Sequence, residues 1–542
     1  MKNSLVSAIG LVCLMACTTT NQQRISTNLI DTVAIASHIE VLSSDEYLGR
    51  KPFTEGEEKT TKYLKDQFMK MGLSPGNGES YFQEVPMVEI TANPSETMTV
   101  SGSNGQVELV IEKDYVVFTD RPVDQTALSE SEMVFAGYGI VAPEYGWDDY
   151  KGLDVKGKTV VVMVNDPGFS SGDSTLFKGE TMTYYGRWTY KYEEAARQGA
   201  AGILIIHETV PAGYPWMVVR NSWSGAALKL DQANGAYQCD VLGWISRDAA
   251  IKVFELSEED MIGFAERSRS KDFEPIQLGV NVSVAIENTI KRDVSKNVVA
   301  KITGSESPDE TIIYSAHWDH LGVGPDVDGD SIYNGAYDNA SGVAVTLDIA
   351  RLFKQNPPKR SVMFLLVTAE EQGLLGSAYY ASNPIVAAGA TVANLNLDGV
   401  TPYGAMKDLT VIGYGQSELE DLADSIAKEQ NRYLLPDQHP GKGYFFRSDH
   451  FSFAKIGIPA LFASGSYDGV EGGVERIKAI SDAYNQYKYH KPADEYDPSS
   501  WRYGSMYQDG QLYYLLGNEL ANSNIWPKWK DGSEFKSIRE GN

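Results

Sequence analysis

Acids and histidines gather in five short segments of this 542-residue chain. His317-Trp318-Asp319-His320-Leu321-Gly322 follows the apolar run Ile312 to Ala316. Gly335-Ala336-Tyr337-Asp338-Asn339-Ala340-Ser341-Gly342 opens a helical pattern. Thr368-Ala369-Glu370-Glu371-Gln372-Gly373 ends a second apolar run, and Asn396-Leu397-Asp398-Gly399 a third. Tyr489-His490-Lys491-Pro492-Ala493-Asp494 is the last. Imidazole and carboxylate are the groups that hold divalent metals and move protons. Singly, each segment has an ordinary reading. A lone histidine is more often a satisfied side chain than a ligand, paired acids such as Glu370 and Glu371 are usually solvated, and Asp338-Asn339 with Ser341 reads as a helix cap. Jointly they point to a site, because the first four are placed at strand ends. Sheets of parallel strands build their sites at the carboxyl ends of those strands.

In order and spacing the segments resemble peptidase family M28, a family of zinc peptidases. The resemblance covers about residues 38–72 and 294–496. Its most specific parts are the run from His317 to Gly342 and the Thr-Ala-Glu-Glu run at 368–371. It implies two zinc ions bridged by Asp338, with His317 and Asp398 completing one and Glu371 and His490 the other. A shared carboxylate offsets the repulsion between two ions, and three protein ligands per ion leave room for water and substrate. The resemblance also implies that Asp319 orients His317. Glu370 would be the general base, taking a proton from a metal-acidified water and passing it to the departing amine. Glu370 and Glu371, alternating off one strand end, would both face the ions.

Ser448-Asp449-His450 matches a further family segment in the wall of the substrate pocket. It reads equally well as a structural loop in which Asp449 caps backbone groups. Tyr337 stands where many relatives have an acid, at a position that is not a ligand. Some relatives use a tyrosine shortly before the Ser-Asp-His segment to stabilise an oxyanion. Tyr444 lies near, but Phe445 and Phe446 displace it from register.

The activity these features imply is removal of N-terminal residues from peptides. Three alternatives stand beside it. A carboxypeptidase would use Arg447 for the terminal carboxylate. A glutaminyl cyclase would use a single zinc, and a receptor-like protein on the same fold would have no catalysis. Function is read from the site here, since the sheet alone would host many activities.

The elements around these segments set the expected architecture. Strands are expected at Val298–Ile302, Thr311–Ala316, Ser361–Thr368, Ala393–Leu397 and Leu409–Ile412, with helices at Gly342–Lys354 and Leu419–Glu429 between them. Such alternation predicts an α/β fold with a mostly parallel mixed sheet flanked by helices, of the zinc exopeptidase kind. Ile35–Leu42 and Glu55–Met71 read as further helices, the second stopped by Gly72. From about Ala92 the pattern turns β-rich. Gly137-Tyr138-Gly139, Gly157-Lys158 and Gly199-Ala200-Ala201-Gly202-Ile203 follow in that order, which is similar to the protease-associated domain. The expected division is 29–95 and 281–542 for the peptidase part, with a protease-associated insert at 96–280.

Composition bounds the partners. The chain has 47 basic and 73 acidic residues, a net charge of −26, and repels nucleic acid and anionic membrane surfaces. Peptides are the expected substrates, and oligomeric state is not legible. Residues 1–17 read as a lipoprotein signal peptide: Lys2, an apolar run from Leu5 to Ala16, then Cys17 after Leu14-Met15-Ala16. Residues 18–28 read as a polar tether. Export across the inner membrane and a lipid anchor at Cys17 in the bacterial envelope are the expectation, and the anchor is the sole membrane contact expected. Of three cysteines, only Cys239 lies beyond this leader, so disulfides are not expected to hold the fold.

Overall fold

A computed structural model describes residues 29–171, 173–223, 225–231 and 238–541. The signal peptide, Cys17 and the tether lie outside the described residues. No helix among the described residues is long and apolar enough to cross a membrane.

The part that carries the five segments is built on a mixed sheet with a parallel centre. Strand Ser307–His317 pairs in parallel with Arg360–Val367 on one side and Thr391–Asn396 on the other. Thr391–Asn396 continues in parallel to Ala460–Ser464. Asp408–Ile412 then runs antiparallel to Ala460–Ser464 and carries Tyr433–Pro436 in parallel beyond it. On the opposite edge, residues 298–302 pair antiparallel with 362–366. All eight residues of Arg360–Val367 are buried, and so are all six of Thr391–Asn396. A sheet covered on both faces buries its central strands along their whole length in this way. Helices Thr32–Leu42, Glu55–Met71, Ser341–Gln355 and Gly504–Asn522 contribute Ile35, Phe68, Val345 and Leu512 to one core with Tyr314 and Phe364 of the sheet. Helix Glu55–Met71 ends at Gly72 in a left-handed turn (φ 77°), a conformation glycine adopts without strain.

Residues 97–286 build their own apolar clusters. Thr159–Met163, Gly202–His207 and Val241–Ser246 are parallel neighbours in a sheet that Gln125–Phe135 and Tyr115–Phe118 extend at its two sides. Phe135, Phe254 and Phe264 pack on one side of it, and Val160, Ile203 and Trp244 on the other. Cys239 is buried here as a free thiol that burial pushes up to about 12. The expected division at 280 and 281 falls inside one long strand, Ile276–Ile302. Its register with Phe82–Pro94 runs from Ile286 opposite Pro94 to Val298 opposite Phe82. This antiparallel pair therefore joins the two parts, since an uninterrupted hydrogen-bond ladder keeps the strand whole across the composition change.

Candidate metal centre

Sheet register brings three of the five segments together. His317 is the last residue of its strand and lies opposite Val367, three residues before Glu370. On the other flank Ser315 lies opposite Asn396, two residues before Asp398. The second segment arrives differently from expectation. It follows an antiparallel hairpin, Gly322–Val327 with Asp330–Tyr333, which is separate from the main sheet. Gly335 then turns the chain with a positive φ of 54°, and a Cβ there would collide with the His320 ring. Asn339 fixes the turn from within: its Oδ1 accepts from Gly342 N at 3.0 Å and Gly399 N at 2.9 Å. Asp338 is thereby free of any capping role and points toward the histidines.

Asp338 sits between them. Its Oδ1 lies 3.2 Å from His317 Nε2, and its Oδ2 lies 3.4 Å from His490 Nε2. His317 Nε2 is also 3.2 Å from Asp398 Oδ1. His490 Nε2 is 3.1 Å from Glu371 Oε2. Ligand atoms of His317, Asp338 and Asp398 lie within 4.8 Å of one another, as do those of His320, Asp338 and Glu371. Imidazole and carboxylate at such separations are a donor set for zinc. Burial works against charge on Asp338, yet hydrogen bonds from His317 and His490 hold its pKa well below the usual range. Burial likewise opposes charge on Glu371, and Asp338 adds to that. His320 and His490 outweigh both and bring Glu371 to about 2.

Glu370 and Glu371 stand on a turn that begins after the strand ends at Val367. Ala369 adopts φ 52°, and the Glu370 carbonyl accepts from Gly373 N and Leu374 N, both at 2.9 Å. The turn, not strand alternation, separates the two acids. Asp319 holds it in place, its carboxylate accepting from Glu370 N at 3.1 Å and Glu371 N at 3.4 Å. Toward His317, Asp319 offers its backbone carbonyl 3.2 Å from Nδ1, with the carboxylate at 3.8 Å. Burial raises the Asp319 carboxyl to about 7. Glu370 lines a cavity of about 410 Å³ together with Asp338, Asp398 and His490.

The Ser-Asp-His segment divides. Ser448 donates to Asp398 Oδ2 at 2.5 Å and itself accepts from Asn396 Nδ2 at 2.8 Å. Tyr444, Arg447 and Ser448 line the cavity. Asp449 and His450 are buried behind it, and Asp449 makes no side-chain cap to the helix it precedes. His450 packs between Phe445 and Phe462, at 4.7 and 5.2 Å between ring centres, and burial lowers its pKa to about 3. The unfolded chain therefore binds a proton at His450 below about pH 6.5 that the folded chain refuses. Stability from this residue is complete above pH 6.5 and is lost as pH falls toward 3, by up to about 1.4 kcal/mol per pH unit. The melting temperature of His450→Phe should fall less steeply between pH 6.5 and 4 than that of the wild type. Equal slopes would contradict the assignment.

Three residues near the centre carry no role in the sequence reading. Arg50 is almost fully buried and donates to the carbonyls of Trp318 (2.9 Å), Asn334 (2.6 Å) and Gly335 (2.8 Å), tying the His317 loop to the Asp338 turn. Asp494 accepts from Tyr337 N at 3.2 Å and Asp338 N at 3.1 Å. His320 Nδ1 lies 2.5 Å from Glu371 Oε1, outside hydrogen-bonding geometry, and both buried atoms otherwise lack partners. Orphaned, converging donor atoms of this kind fit a bound cation. Asp494 and His320 were within reach of the sequence, since both lie inside the five segments. Arg50 carries no local signal.

The model of peptidase family M28 matches residues 297–515. A "Probable zinc metalloprotease" of Pyrenophora teres f. teres is 42% identical over 104 residues, covering 19% of this chain and 22% of that protein. A "probable leucine aminopeptidase 2" of Aspergillus oryzae is 30% identical over 207 residues, covering 36% of this chain and 37% of that protein. The chain thus spans well under half the length of these curated relatives. Among solved structures, an aminopeptidase from Aneurinibacillus sp. strain AM-1 aligns over 92% of this chain and 95% of its own, at 19% identity and a TM-score of 0.46. Residues 297–515 of this chain, which hold every residue of the centre, are a peptidase family M28 domain.

Proposed function

We propose that this protein is a dinuclear zinc aminopeptidase, with Asp338 shared between the ions and Glu370 as general base. One observation carries the reading. Asp338 directs one oxygen to His317 beside Asp398 and the other to His490 beside Glu371, and Glu370 opens onto the same cavity. Charge supports two ions: Asp338, Glu370, Glu371 and Asp398 would bring four negative charges into one partly enclosed space, which two divalent ions neutralise. When bound, zinc supplies polarisation of a peptide carbonyl and acidification of water. Glu370 receives the proton from the attacking water and delivers it to the amine that leaves. Ser448 holds Asp398 in place, Asp494 holds Asp338, and Asp319 holds the turn that presents Glu370.

A cavity of about 410 Å³ suits one or two residues and not a folded chain, which favours an exopeptidase. The aminopeptidase assignment takes support from the name of the Aspergillus oryzae relative. We also read residues 96–280 as a protease-associated domain that walls the cleft.

The test offers zinc-loaded protein free-amine, N-blocked, C-blocked and N-terminal-glutamine peptides, with products read by mass. Loss of N-terminal residues only from free-amine peptides is expected. Trimming from the carboxyl end would make it a carboxypeptidase, ring closure without hydrolysis a cyclase, and inertness with zinc bound would overturn the enzyme reading.

A further inference from the structure

The insert sends one strand into the cleft beside the metal centre. Gly225–Leu230 pairs antiparallel with Phe82–Pro94, from Gly225 opposite Ala92 to Leu230 opposite Met87. Among the described residues it has no second partner strand. The direction of its outer groups follows from the ladder. Asp231 N donates to Pro86 O at 3.0 Å, which continues the same register. Hydrogen-bonding residues alternate along an antiparallel strand. Ala227 and Lys229 therefore bond to Ile90 and Val88, while Ala226 and Leu228 turn their N–H and C=O groups the other way, off the edge. The far side of Phe82–Pro94 agrees. Ser95 N donates to Ala285 O at 2.9 Å, so odd-numbered residues there face Ile276–Ile302 and even-numbered ones face Gly225–Leu230.

The strand is held from both sides. Leu228 and Leu230 pack with Val85, Met87, Ala369 and Leu375 of the peptidase part. Lys229 pairs with Asp120 at 2.8 Å, and its ammonium lies over the Phe118 ring at 5.5 Å. Gly225 to Lys229 line a cavity of about 690 Å³ that reaches Glu371. Lys229 also lines an adjoining cavity of about 490 Å³ with Glu370 and His490. Gly225, Ala226 and Ala227 are exposed, so the strand runs from solvent toward the metal ligands. Phe118, Trp188 and Trp223 give the larger cavity apolar walls. Gln372 lines both cavities, and its buried Oε1 accepts from no partner.

An unpaired strand edge is a template for another extended chain, and proteins commonly block such edges with proline, a bulge or charge. Gly225–Leu230 has no proline, and its single charge is neutralised by Asp120. An extended peptide carries the donors and acceptors that such an edge lacks. We propose that substrate residues downstream of the cleaved bond pair as an added strand with the outer edge at Ala226 and Leu228, so that the insert reads the peptide backbone and favours longer substrates. This rests on the peptidase reading.

The experiment measures kcat/KM of the zinc-loaded protein on Leu-Ala-amide, on Leu-Ala-Ala-Ala-Ala-amide, and on three forms of the pentapeptide methylated at the backbone nitrogen of the third, fourth or fifth residue. The pentapeptide should be cleaved about ten- to hundredfold more efficiently than the dipeptide, the worth of about two net hydrogen bonds. Methylation should cost about three- to tenfold at alternate positions only, the fourth alone or the third and the fifth, because every second residue of an added strand turns its N–H to the edge. Ala226→Pro removes an outward N–H at an exposed edge position, where proline is tolerated. It should lower the pentapeptide-to-dipeptide ratio at least threefold with a melting temperature close to that of the wild type. No gain with length, or an equal cost of methylation at all three positions, overturns the proposal. A dimer in sedimentation that Ala226→Pro dissolves would assign the edge to a second copy of the chain and overturn it too. A wild type that cleaves no peptide defeats the peptidase reading, and the edge is then tested by fluorescence anisotropy with the same pentapeptides labelled at the C-terminus. The same alternation in affinity sustains the edge. Equal binding of the methylated forms, or no binding of any, overturns it.

Discussion

Replacing Glu370 with alanine in the zinc-loaded protein should lower kcat for peptide hydrolysis about a thousandfold, within the span general-base groups contribute. Zinc content and melting temperature should stay close to those of the wild type. The expectation follows from where the side chain stands. Glu370 belongs to neither group of converging ligand atoms, yet it lines the cavity those ligands border. The turn that carries it is fixed by backbone contacts to Asp319, so truncating the side chain leaves the turn intact. Burial pushes its pKa up, with Asp398, Glu371 and Asp449 adding to that effect and His317 opposing it. A carboxyl in such surroundings holds a proton readily once it has received one, which a shuttle from water to amine requires.

Glu370→Gln separates charge from shape. It keeps the volume of the side chain and removes its basicity, so it should fall as far as the alanine variant. Glu370→Asp should retain partial activity, because the carboxylate survives but is withdrawn by one methylene. Wild-type kcat in the Gln variant would remove Glu370 from the base role. Loss of zinc in the Ala variant would make it a ligand instead.

What was legible in the sequence, and what was not, follows the range of the physical signals. The continuous apolar run Val362–Val367 announces a strand buried on both faces, and the observed bounds, Arg360–Val367, differ from the expected ones by one residue at each end. Histidine and acid positions were legible because residue type restricts their chemistry. Geometry across the chain was not. Arg50 closes contacts to residues 268 and 285 positions away. Its neighbours Leu48 and Gly49 look like an ordinary turn, and no local pattern announces that span. The strand Ile276–Ile302 hid its continuity, because solvated residues in its middle, such as Lys291 and Arg292, break the apolar pattern while the ladder to Phe82–Pro94 persists. The turn at Ala369 was likewise hidden, since a positive φ at alanine is imposed by surrounding contacts and not by propensity.

Asp338→Ala carries the other large effect. Bound zinc should fall from about two ions per chain to less than one, with hydrolysis lost by more than about a thousandfold. Asp338 alone directs an oxygen to each histidine, 3.2 Å from His317 and 3.4 Å from His490. Removing it leaves His317 with Asp398 on one side and Glu371 with His490 on the other, two donors each where a catalytic zinc uses three. Asp338→Asn tests whether charge or geometry matters, because it keeps one acceptor oxygen and discards the charge that both ions would share. Asp398→Ala should behave differently: it strips one side only, so about one ion should remain, held by Asp338, Glu371 and His490. Zinc is counted by elemental mass spectrometry after dialysis against buffered zinc, with the zinc-dependent rise in melting temperature as a second reading. That rise should be nearly abolished in Asp338→Ala and only reduced in Asp398→Ala. Two retained ions in Asp338→Ala would mean the sites are independent and the carboxylate bridges nothing. Equal losses in both variants would mean the ions bind only as a pair, so that neither half of the centre holds zinc without the other.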